Sequence, residues 1–124
     1  MTEIKEISAL ELAKEQAILK AKTLSEKEGV LVHHILFLGE NETDFVVGFL
    51  KEPPFLVKAR AMDRVYNGQG FTANLEILEI CLLKDHSDAR MLSESAGNGM
   101  YKLGAAKAAG DLLLIAKNQA EKKS

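Results

Sequence analysis

Residues 30–54, VLVHHILFLGENETDFVVGFLKEPP, constrain the fold more than any other stretch. Two apolar runs flank a polar turn, and the second run stops at Pro53-Pro54. Both runs are rich in β-branched and apolar residues and too short for an ordinary helix, so strands are predicted over 30–38 and 44–51. Residues 39–43 are turn-prone and suit a hairpin with a slightly long loop. Pro53 has no N–H to give a ladder, which ends the second strand. Pro54 suits the first position of a helix. In the second strand Phe45, Val47 and Phe49 point one way, and Val46, Gly48 and Leu50 the other. Neither face is strongly polar. Both are therefore expected to be covered, one of them by the preceding helix or by a neighbouring subunit. Two strands alone are marginal in water and need helices on at least one face.

Helical patterns surround this stretch. Ser8-Ala9-Leu10-Glu11 fits a capping box, with Ser8 accepting from the N–H of Glu11, Glu11 reaching back to that of Ser8, and Ile7 and Leu12 at the staple positions. The helix it starts should run to about Glu28 and stop at Gly29. Leu10, Ala13, Ala17, Ala21 and Leu24 recur at helical spacing, with Ile18 beside them. This stripe is narrow and rich in alanine. It reads either as a helix docked on its own domain or as an arm that binds a partner. A second helix is predicted over 54–66, ending at Asn67-Gly68, with Val57, Ala61 and Val65 in one row and a cationic edge of Lys58, Arg60 and Arg64. Thr72 is placed to cap a third, from Ala73 to about Leu83. After a turn at 85–88, capped by Ser87 or Asp88, a short helix is expected over 89–94. Asn98 would open the last helix, about 99–120, which carries Met100, Leu103, Ala106, Leu113 and Leu114. Gly104 and Ala108 mark a close helix contact there. The predicted fold is α+β: an N-terminal helix, an antiparallel β-hairpin, then three or four packed α-helices. Residues 1–28 are expected to form the N-terminal amphipathic helix, 29–120 the core domain and 121–124 a flexible tail.

The chemistry in the chain is sparse. The 124 residues suit one domain, and 47% apolar with 27% charged residues is ordinary globular composition. A net charge of -2 argues against bulk phosphate-backbone binding. A single cysteine, Cys81, excludes an internal disulfide and fits a reducing cytosol. No basic-then-apolar leader opens the sequence, and no apolar run approaches the ~20 residues that span a bilayer. A cytoplasmic protein without membrane contact is expected. His33 and His34 are neighbours on a strand, so they face opposite ways and cannot chelate one ion together. No metal or cofactor is expected. Cys81 lies in an apolar helix and reads as structural. Glu76 and Glu79 share one side of a helix at i, i+3, which reads as a solvated face rather than an acid–base pair. Gly68-Gln69-Gly70 and Gly97-Asn98-Gly99 do not complete a dinucleotide fingerprint. No catalytic residue is assigned, and the chain is expected not to be an enzyme.

Two segments resemble a known family. Residues 44–53, DFVVGFLKEP, form a hairpin end with an aromatic, a basic residue and proline, and residues 74–83, NLEILEICLL, look like a Leu-Leu-x-x-Cys helix. Together with the helical, lysine-ended C-terminus, they resemble small tail assembly chaperone-like proteins of tailed phages and prophages. Leu50 and Glu52 stand where basic residues are more typical. The resemblance spans about residues 30–123. It implies a non-catalytic protein of the host cytoplasm that keeps the tape measure protein soluble, helps recruit tail tube protein around it and self-associates. Partner-binding surfaces are expected at Leu10, Ala13, Ala17, Ala21 and Leu24 of the first helix and at Phe45, Val47 and Phe49 of the hairpin. The alternatives are a small bacterial adaptor or regulatory domain that dimerises through its sheet edge or first helix, and a nucleic-acid binder using Lys58, Arg60 and Arg64.

Overall fold

The structure, a computed structural model, describes residues 8–114. Helix α1 spans Ala9–Glu28. Ser8 Oγ accepts from the Glu11 N–H at 3.0 Å, the first of the two capping-box bonds. At the other end Gly29 adopts φ 76°, the left-handed cap that a side chain would strain, and its N–H reaches Ser25 O at 3.0 Å. Ile7, the other half of the staple, lies outside the described residues. Strands β1 (Val32–Leu38) and β2 (Phe45–Lys51) pair antiparallel, from Val32 opposite Lys51 to Leu38 opposite Phe45. Asn41 Oδ1 accepts from the Thr43 N–H at 2.9 Å and sets the loop between them.

The next two helices differ in detail from expectation. Helix α2 spans Phe55–Tyr66. Pro54 stays extended at ψ 159°, so it is the cap rather than the first helical residue, and its carbonyl accepts from Val57 and Lys58. Helix α3 covers Gly70–Cys81, three residues earlier than predicted, and Thr72 is not its cap. The reason is tertiary. The Gln69 N–H bonds Arg64 O at 2.8 Å, which folds the chain back against α2 and lets α3 begin at once. Its other end stops short of Leu83 because Leu82 leaves the helix to bridge Leu50 of β2. Instead of a helix over 89–94 there are 3-10 turns at Lys84–His86 and Ala89–Leu92, the second capped by Asp88 Oδ1 on the Arg90 N–H at 2.9 Å. Helix α4 is described over Gly99–Leu113. Asn98 stands at its cap position without a side-chain capping bond. The predicted remainder of that helix and the tail at 121–124 fall outside the described residues.

The hairpin is the middle layer. Because side chains alternate along a strand, Val32, Leu36, Val47 and Phe49 face α1, while Ile35, Phe37, Val46 and Leu50 face α3 and α4. The α1 side is the smaller core: Ala17, Ala21, Leu24, Val32 and Phe49. The other side joins Leu50, Ile77, Leu78, Met91 and the alanines of α4. Of the two readings of the first helix, α1 therefore docks on its own domain.

Of the residues expected on the apolar face of α4, Ala106 and Leu113 are buried, while Met100 and Leu103 face outward. Met100 is 76% exposed, whereas Ala105, Ala106 and Ala109 are fully buried. The close contact predicted at Gly104 and Ala108 is made at Gly110 instead. Gly104 is exposed, and at Gly110 a Cβ would collide with the Asn74 carboxamide of α3. Ion pairs tie the helices: Arg64 holds Glu76 at 2.9 and 3.0 Å across α2 and α3. Across α3 and α4 the buried Lys102 donates to Glu79 at 3.0 Å, and also to Glu94.

Arg90 fastens the hairpin loop to the second 3-10 turn. Its guanidinium forks onto Asp44 at 2.8 and 2.9 Å and onto Asp88 at 2.9 and 3.1 Å, and lies 5.0 Å over the Tyr101 ring. Hydrogen bonds from Arg90, and then from the Glu40 N–H, hold the Asp44 carboxyl down at about 2. The unfolded chain protonates Asp44 near ~3.9. This contribution is thus complete above about pH 4 and is lost as pH falls toward about 2. Thermal melts from about pH 5 to pH 2 are expected to show a falling midpoint, with a shallower slope in Asp44→Asn. An unchanged slope in the variant would contradict the role given to Arg90.

Candidate interaction site

Helix α1 rests on the sheet through small side chains, which let the two backbones approach closely. Ala17, Ala21 and Leu24 meet Val32 and Phe49, and Lys20 Nζ lies 5.1 Å above the Phe49 ring. Of the expected partner-binding residues, Ala17, Ala21, Leu24 and Phe49 are buried in this seam. Ala13, Phe45 and Val47 are half-buried and line a groove of about 300 Å³ along the β2 side of α1, together with Lys20 and His86. Leu10 lies outside that groove and is 37% exposed. The structure thus brings five of the eight, Ala13, Ala17, Phe45, Val47 and Phe49, to one groove.

A larger groove, about 490 Å³, runs along the opposite, β1 side of α1. Ile18, Ala21 and Lys22 of α1, Leu31 and Val32 before and in β1, and Leu112 of α4 line it. Ile18 is 54% exposed and Leu31 58%, and Leu12 and Leu19 of α1 are also open to solvent. In the sequence Ile18 appears only as a neighbour of the alanine stripe. Leu31 and Leu112 carry no local signal, since only the fold brings them to α1.

The two edges of the sheet are unlike. Along β2, the Leu83 N–H reaches Phe49 O at 2.8 Å, the Phe49 N–H reaches Ser87 Oγ at 2.9 Å and the Asp88 N–H reaches Val47 O at 2.9 Å. Residues 82–88 therefore cover that edge. Along β1, among the described residues, the cover is one bond, from the Val32 N–H to Ser25 Oγ at 2.8 Å.

The polar residues are committed elsewhere. His33 pairs with Glu52 at 2.7 Å, and burial, then the neighbouring His33, push the His34 ring down from its ordinary value. Among the described residues no group of three or more His, Cys, Asp or Glu side chains is placed to hold a metal ion. Glu76 and Glu79, expected as one solvated face, separate onto Arg64 and Lys102. Of the cationic group, Lys51 faces Glu28 at 4.0 Å, Lys58 pairs with Glu52 and Arg64 with Glu76. Arg60 is left as the one residue of the Lys58, Arg60 and Arg64 edge without an ion-pair partner among the described residues. A surface so neutralised gives little to a phosphate backbone.

Cys81 is buried, and burial, then the Glu52 charge, push its thiol up to about 11. Reaction with an aromatic disulfide reagent at about pH 8 is expected to be on the order of 100-fold slower in the native protein than in denaturant. Equal rates would contradict the burial of this face of α3. No helix among the described residues is long and apolar enough to cross a membrane. Comparison of the chain with known protein families, characterised proteins and solved structures finds no match.

Proposed function

We propose that the chain is a non-catalytic tail assembly chaperone of phage or prophage origin, which holds the tape measure protein in the host cytoplasm and assists assembly of tail tube protein around it. The sequence resemblance at residues 44–53 and 74–83 supports this reading. The observation that carries it is the groove of about 490 Å³ beside α1, walled by Ile18, Leu31 and Leu112 and left uncovered among the described residues.

Fully burying an aliphatic side chain contributes about 1.5–3 kcal/mol, so half-exposed ones such as Ile18, Leu19 and Leu31 each contribute about half of that. Three of them together contribute about 2–5 kcal/mol, less than the roughly 4–15 kcal/mol that association costs, so the client must bury further surface of the groove as well. Co-purification with a tape measure fragment tests the reading. The wild-type chain is expected to retain the fragment, and Ile18→Asp with Leu31→Asp to lose it while melting as before. No complex at micromolar concentration would contradict it. A self-associating adaptor domain is the second reading, favoured by the uncovered β1 edge. Sedimentation showing a stable dimer that ignores the fragment would support it.

A further inference from the structure

We infer that β1 receives an extended, apolar segment of a partner protein as a third strand, laid along its open edge between α1 and α4. This rests on the binding role proposed above and adds how the client is held.

The hydrogen-bond phase of the hairpin fixes which groups are available. Leu31 O accepts from the Glu52 N–H at 2.8 Å, and the Gly39 N–H donates to Asp44 O at 2.6 Å. The odd-numbered residues of β1 therefore exchange bonds with β2, and the even-numbered ones turn their N–H and C=O groups away from it. Ser25 takes the Val32 N–H. Among the described residues, the outward N–H and C=O groups of His34, Leu36 and Leu38 have no partner. Their spacing, about 6.8 Å every second residue, matches another extended backbone.

Sheet edges are usually blunted by lysine, proline, a bulge or a covering segment. The β2 edge has its covering segment. The strand VHHILFL has no lysine or proline, and its register runs without a bulge. Beside the first half of this strand, at Val32 and His34, lies a groove with two walls. Ile18, Ala21 and Lys22 stand on the α1 side, Leu112 stands on the α4 side, and Val32 and His34 of β1 form the floor. A single strand fits between two such walls. A second copy would bring its own helices on both faces of its hairpin against them. The occupant is therefore an isolated extended segment with apolar side chains toward Ile18 and Ala21, without charge or proline at its centre.

The probe is a fluorescein-labelled decapeptide of alternating valine and threonine with a lysine at each end, titrated into the full chain and followed by anisotropy. Saturable binding in the micromolar range is expected. N-methylation of alternate residues in the phase that faces β1 removes two or three hydrogen bonds and should weaken binding about tenfold or more. Methylation in the other phase should change it by less than about twofold. On the protein, His34→Pro removes an outward N–H and spares the ladder to β2, so it should weaken the probe similarly. Leu38→Pro at the strand end serves if the first variant melts early.

Equal binding of the two methylated peptides would overturn the inference and leave client binding in place. So would capture of a tape measure fragment by a chain that ignores the probe. A dimer in sedimentation that excludes the probe would assign the edge to a second copy and also overturn it. Failure of both probe and fragment would remove this inference and the proposed function together.

Discussion

Phe49→Ala is expected to destabilise the protein by about 3–5 kcal/mol and to release α1 before the rest of the chain unfolds. Phe49 is 2% exposed and is the largest side chain of the smaller core. Its buried companions there are Ala17, Ala21, Leu24 and Val32, so nothing bulky is at hand to refill the space. The main contacts of α1 are with the two strands. A helix of 20 residues that loses its docking face is marginal in water. Hydrogen exchange should therefore show the α1 amides opening at lower free energy than those of α3. A single cooperative loss of both would contradict the two-core description.

Leu50→Ala, one residue on, is expected to cost about 2–5 kcal/mol with a different signature. Leu50 is fully buried on the opposite face of β2, and its backbone bridges Leu82 where α3 ends. Truncation opens a cavity in the core shared by the hairpin, α3 and α4. Because the hairpin is also the floor on which α1 rests, both layers should melt together, at a midpoint lowered by about 6 °C or more (roughly 3–6 °C per kcal/mol for a chain of this size). Survival of the α3 and α4 signals after loss of the hairpin would contradict this. Adjacent residues thus report on separate layers, a direct consequence of strand alternation.

That alternation was readable in the sequence, as were the Ser8 and Gly29 ends of α1 and the stop at Pro53. These features are local: a cap, a period of two, a missing N–H. What the sequence did not display depends on distant partners. The start of α3 at Gly70 is set by the contact of Gln69 with Arg64. Apart from Leu113 and the ion-paired Lys102, the inward face of α4 is made of alanines and Gly110, which carry little hydrophobic contrast beside Met100 and Leu103. Arg90 and Asp44 meet across 46 residues with no motif between them. Glu76 and Glu79 look like a pair and serve separate helices. For the candidate site, the alanine stripe and Phe45, Val47 and Phe49 were found, but mostly as the inner seam. Ile18, Leu31 and Leu112 line the larger groove only because the fold gathers them. The open edge of β1 left one trace, a strand without charge or proline.

Amide hydrogen exchange on the full chain, with and without a bound tape measure fragment, tests the central claim most directly. In the free protein the amides of His34, Leu36 and Leu38 should exchange fast and those of Ile35 and Phe37 slowly. Binding should slow the first three, by about tenfold or more, and leave α2 unchanged. Bound fragment with those three amides still exchanging at the free rate would contradict the placement of the client on β1.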